Sequence, residues 1–118
     1  MVGRDELVAR LVEELDDAER AGGVAYVREE PVAAGGVLDV PKLDATAPFD
    51  ALLGFVDREP TANWSHSCRY LLVDLETGRE VVSIEARLPP FTPADANRHW
   101  RVAYRAPSVP DAAVAVSG

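Results

Sequence analysis

The chain has one cysteine, Cys68, and one lysine, Lys42. A single thiol cannot close an intrachain disulfide, and without a paired-cysteine spacing there is no zinc-finger or zinc-ribbon signature. A lone free thiol suits a reducing compartment. No stretch approaches the roughly 18 consecutive apolar residues that a membrane-spanning helix needs. The opening Met1-Val2-Gly3-Arg4-Asp5-Glu6 runs into a charged segment, not into the apolar core of a secretory leader. A cytoplasmic location without membrane attachment is therefore expected.

Positive charge is also scarce. Twelve cations face twenty acids, for a formal net charge of −8. The excess is confined to residues 1–59, with 14 acids against 6 bases, while residues 60–118 carry 6 of each. Binding to nucleic acid requires a concentrated basic surface, so nucleic acid is not an expected partner. What the chain does have is a globular composition, 47% hydrophobic and 27% charged over 118 residues. That length suits one domain with a core of its own. One α+β domain is expected over residues 1–105, followed by a frayed tail over 106–118 that carries Pro107 and Pro110.

The first element is an amphipathic helix. Leu7, Val8, Leu11, Val12, Leu15 and Ala18 fall on one stripe, with Asp5 as the candidate N-cap and Gly22-Gly23 as the stop. Glu13, Glu14, Asp16, Asp17 and Glu19 crowd its C-terminal half, where the helix dipole disfavours acids. Such a helix must be docked to persist. Val24 to Arg28 reads as a strand, Val37 to Val40 as a short one, and Pro48 to Val56 as a brief helix capped by Thr46. Trp64 to Val73 and Glu80 to Leu88 read as a hairpin, with Gly78 at its turn. A single helical turn is expected from Thr92, and a last strand from Trp100 to Arg105. The sum is the N-terminal helix on a curved antiparallel sheet of about four strands.

Tyr70-Leu71-Leu72-Val73-Asp74 through Thr77-Gly78 to Val81-Val82 resembles the hairpin of PepSY-type and related cystatin-like domains, which are associated with peptidase regulation. The resemblance spans about 13 residues and implies a cystatin-like roll; no function is carried over from it. An NTF2-like cone is compatible with the same size and aromatic content.

Candidate chemistry concentrates on the strand from Trp64. Alternation puts Trp64, His66, Cys68, Tyr70 and Leu72 on one face and Ser65, Ser67, Arg69 and Leu71 on the other. The apolar face is expected to meet the helix. Trp100, Val102 and Tyr104 share a face of the last strand, so Trp64, His66, Tyr70, Trp100 and Tyr104 could line a ligand pocket or simply form core. A catalytic reading would use a Cys68 thiolate with His99 as base, or His66 as acid–base with Asp57 or Glu59 assisting. A metal reading would need His66, Cys68 and His99 to converge. Arg69, Arg87, Arg101 and Arg105, with Ser83 and Glu85, are expected on a solvated opposite face. No strong catalytic or cofactor motif is present. The leading expectation is a non-catalytic interaction or regulatory domain whose partner is another protein, with a homodimer compatible and no cofactor. A small-molecule pocket and a metal-binding domain are the alternatives.

Overall fold

In the computed structural model, residues 2–38, 45–61, 66–90 and 99–114 are described. Helices α1 (Arg4–Glu13) and α2 (Asp17–Gly22) precede strands β1 (Val24–Arg28), β2 (Ala51–Asp57), β3 (Cys68–Asp74), β4 (Val81–Ala86) and β5 (Trp100–Arg105). The strands form one antiparallel sheet in the order β4-β3-β2-β1-β5. The α+β class stands, with five strands where about four were expected. The described strands do not specify a cystatin-like or NTF2-like fold.

The expected single helix is broken. Asp16 accepts from the Glu19 backbone N–H at 2.8 Å, and the Glu19 carboxylate accepts from the Asp16 N–H at 2.9 Å. This reciprocal capping box starts a new helix after Leu15. The first helix is capped by Gly3 rather than Asp5, which lies in its first turn.

The expected helix over 48–56 is instead the central strand β2. Phe49, Leu52, Leu53 and Val56 fit a helical stripe, but the run from Ala51 to Val56 is buried on both faces. A fully buried strand shows no alternation, so periodicity alone cannot separate it from a helix. The hairpin strands are also shorter than expected. Gly78 sits at φ 65° in the β3–β4 turn, with its N–H donating to the Asp74 carbonyl at 2.8 Å. Val37 bridges Thr46 in isolation, while Asp39 and Val40 lie outside the described residues. So do Trp64, Ser65 and the turn expected from Thr92.

Each sheet face has its own core. Leu7, Leu11 and Leu15 pack on Ala25, Val27, Leu52, Val56, Leu71 and Val73. On the opposite face Tyr26, Leu53, Phe55, Cys68, Tyr70 and Leu72 are covered by Val32, Leu38, Ala47, Trp100, Ala106 and Val109. Residues beyond Arg105 also contribute to this core. Ala106 and Val109 are buried, and the Ser108 hydroxyl donates to the Ala21 carbonyl at 2.9 Å.

The helix lies on the face opposite to the one expected. Its close approach depends on Gly54, where a Cβ would stand 2.2 Å from Leu11 Cδ1. Gly54→Ala forces Leu11 or the helix to shift, and overpacking of this kind costs about 1–3 kcal/mol. Urea unfolding should show that loss; an unchanged midpoint would contradict the seating of α1 on β2.

Candidate functional site

β3 alternates as expected, but its two faces exchange roles. Cys68, Tyr70 and Leu72 point away from the helices, whereas Leu71 and Val73 lie beneath them. Arg69 is on the helix side and only 8% exposed, against the expectation of a solvated position. Its guanidinium donates to both Glu19 carboxylate oxygens, at 2.8 and 2.7 Å, to Ser83 Oγ at 3.1 Å and to the Glu14 carbonyl at 2.8 Å. Glu19 is 1% exposed and also accepts from Arg58 Nε at 2.9 Å. Arg58 reaches on to Ser67 Oγ at 3.0 Å and to both oxygens of Glu85. The hydrogen bonds from Arg58 hold the Glu85 carboxyl below its ordinary range. Glu19 and Arg58 were not among the expected site residues. The Asp16-Asp17-Ala18-Glu19 capping spacing carried a signal for α2, but nothing local to Glu19 points to partners 39 and 50 residues away.

On the other face, the ends of β2 and β3 are fastened by a second cluster. His66 Nε2 lies 2.9 Å from Asp57 Oδ1, which also accepts from the Glu59 N–H at 3.0 Å. Glu59 Oε2 accepts from the Ser67 N–H at 2.9 Å, and the His66 N–H donates to the Arg87 carbonyl at 2.9 Å. These bonds close the base of the connection between residues 57 and 67. His66 is 8% exposed. Burial raises the Asp57 pKa above its ordinary value, against the opposing pull of His66. Of the carboxylates weighed as helpers for His66, Asp57 is the one in direct contact.

Cys68 and Tyr70 are both buried and both donate to the Leu88 carbonyl, at 3.7 and 2.7 Å. Burial, with the nearby Asp57 charge, pushes the Cys68 thiol up to about 11. Reactive cysteines are shifted in the opposite direction. His99 does not supply a base. Cys68 is paired through Asp57 and Val24 to Arg105, whereas His99 precedes Trp100 at the Arg28 end of β1. Three strand spacings and five residues along β1, from Val24 to the level of Glu29, separate them by about 22 Å. Among the described residues, no group of three His, Cys, Asp or Glu side chains is arranged to hold a metal ion.

The aromatic positions form core. Tyr26, Phe55 and Tyr70 stand in register on adjacent strands, with ring centroids 5.9 and 5.3 Å apart. Trp100 joins that face, while a register shift between Ala25 and Tyr26 pairs Tyr104 with Ala25. The Tyr104 hydroxyl then donates to the Arg20 carbonyl on the helix side. His66, Tyr70 and Trp100 thus share one face, Tyr104 packs against both cores with its hydroxyl on the helix side, and Trp64 lies outside the described residues. An open cleft of about 380 Å³ lies beside Gly22, Arg58, Glu59, Pro60, Ser108 and Val109. Of its polar side chains, Arg58 is engaged by Glu19 and Glu85, Glu59 by the Ser67 N–H and Ser108 by the Ala21 carbonyl, while Thr61 also lines the cleft.

The raised Asp57 pKa has a definite sign in the stability. The folded state holds the proton more tightly than the unfolded one, so ionising Asp57 costs stability. That cost is absent below the unfolded value near 3.8, grows as pH rises through the raised folded value, and persists at neutrality. Asp57→Asn keeps an acceptor for His66 and Glu59 without the charge. Its stability relative to the parent should rise across that window in denaturant titrations. A loss at pH 7 of more than about 1 kcal/mol would contradict the assignment.

Comparison with family models, with curated proteins and with solved structures gives no match.

Proposed function

We propose that this domain is a non-catalytic protein-interaction or regulatory module of a reducing cellular compartment, with an acidic surface that meets a basic partner. The helix surface carries this reading. Glu6 and Glu13, seven residues apart on one side of α1, are exposed, as are Asp5 and Asp17. Among the described residues none of these four enters an ion pair. The neighbouring cations are engaged elsewhere: Arg4 on the carbonyls of Arg28 and Glu29, Arg10 on Glu14, and Arg20 on the carbonyls of Val12 and Leu15. The helical layer therefore presents negative charge that the protein itself does not neutralise. Such a surface steers oppositely charged partners and makes their association salt-dependent.

One observation favours the pocket alternative as a second reading. The buried His66–Asp57 contact at 2.9 Å joins two titratable groups, one of them ionised at a cost to stability, and pairs of that kind concentrate at functional sites. Small-molecule acid–base chemistry would centre there.

The test compares the parent with Glu6→Arg/Glu13→Arg, whose fold is checked by circular dichroism. Partners cross-linked to the parent in cells are identified and their affinities measured with purified components. Reversal of two charges should weaken binding by about tenfold or more at moderate salt. Affinity unchanged by the reversal and insensitive to salt would overturn the acidic-surface reading.

A further inference from the structure

The sheet has two edges, and they are protected differently. β5 carries exposed Arg101 and Arg105, and its pairing with β1 is broken by a register shift between Ala25 and Tyr26. Charged side chains and irregular pairing are standard ways of keeping an edge from recruiting a further strand. β4 has neither bulge nor proline, and its register with β3 is unbroken from Val73↔Val81 to Cys68↔Ala86. Its sequence, Val81-Val82-Ser83-Ile84-Glu85-Ala86, contains one charge, and that carboxylate is held by Arg58. Val81, Val82, Ile84 and Ala86 are only half-buried.

The orientation of the edge groups follows from the ladder. The Asp74 N–H donates to the Glu80 carbonyl at 3.0 Å, so the hydrogen-bonded pairs that follow in register are 72 with 82 and 70 with 84. The backbone N–H and C=O groups of Val81, Ser83 and Glu85 therefore point away from β3. Among the described residues no strand lies beyond them. An edge of this kind is complementary to an extended backbone.

We infer that β4 is the docking edge for an extended segment of a basic partner protein, which joins the sheet as a sixth strand. This rests on the interaction reading above and specifies its partner. The two faces of the added strand meet different surroundings. On one face it continues the half-buried row Val82, Ile84 and Ala86, which calls for apolar side chains. On the other it lies beside Ser83 and Glu85, which Arg69 and Arg58 already engage, on the side of the sheet that carries the acidic helices, whose exposed carboxylates call for Arg or Lys. Arg79 and Arg87 flank the edge, but the whole chain carries −8. The same net charge disfavours a second copy of this chain as the occupant. Alternating apolar and basic residues are the expected recognition pattern, with main-chain bonds supplying affinity and the alternate side chains specificity.

The probe is a short acetylated peptide alternating valine or isoleucine with arginine or threonine, added to the 15N-labelled full chain. The Val81, Ser83 and Glu85 amides should exchange quickly in the free protein and at least about tenfold more slowly with saturating peptide. Ser83→Pro removes an outward N–H while sparing the backbone ladder to β3, and should weaken the peptide about tenfold or more; Ser83→Ala, which shares its loss of the hydroxyl bonded by Arg69, should leave binding nearly unchanged. The exchange measurement on the parent protein needs no variant to fold. Peptide that leaves the three amides unprotected overturns the inference. So does protection that appears without peptide and grows with protein concentration, which would mean that a second copy occupies the edge. A cellular partner that survives Ser83→Pro but is lost on Glu6→Arg/Glu13→Arg also overturns it, while leaving the interaction reading in place.

Discussion

The Glu19 carboxylate accepts four hydrogen bonds while almost completely shielded from water: two from Arg69, one from Arg58 and one from the Asp16 backbone. A carboxylate taken out of water is costly unless its charge and lone pairs are matched, and here they are matched by two guanidiniums, Arg69 on β3 and Arg58 just past the end of β2. That requirement joins elements far apart in sequence. α2 is held over the ends of β2 and β3, and Arg58 extends the connection to Glu85 on β4. It also fixes which face of the sheet the helices cover, because Arg69 and Leu71 share a side of β3.

Much of what bears on function follows from that choice of face. With the helices on the Arg69 side, His66, Cys68 and Tyr70 are left to the second core, where the connection between β1 and β2 and the segment after β5 cover them. Their polar atoms find partners there: Asp57 for His66, and the Leu88 carbonyl for both Cys68 and Tyr70. A thiol pushed up by burial and bonded to a carbonyl is suited to packing more than to nucleophilic attack. Among the described residues, the helical layer carries exposed acids and the β4 edge bears outward backbone groups. The proposed interaction rests on these two surfaces.

How legible this was in the sequence depended on the range of the interaction involved. β1 and β5 could be read because their apolar residues and turn signals are local, and Gly78 marked its turn because positive φ is a property of one residue. β2 was mistaken for a helix because a strand buried on both faces loses its alternation, and Phe49, Leu52, Leu53 and Val56 then imitate a helical stripe. Gly54 could have warned against the helix, since glycine weakens a helix interior and a close backbone approach is a recurrent reason for one in a strand. The Asp16 capping box was present in the sequence but was masked by a stripe that continues through Leu15 and Ala18. Within the candidate site, the alternation on β3 was readable, and a carboxylate beside His66 was anticipated. The side the helix would choose was not readable, because it depends on Glu19 meeting Arg69 across fifty residues, and as isolated residues both resemble surface charges.

The most direct test of this arrangement is the unfolding free energy of Glu19→Gln, with Glu13→Gln as an exposed control. Removing the charge leaves Arg69 and Arg58 facing an amide in a dry site, and breaking a buried pair in this way costs about 3–5 kcal/mol. The control should stay within about 0.5 kcal/mol of the parent. A loss of that size at position 19 alone is the predicted result. Two variants of equal stability would contradict a fold organised around a buried carboxylate.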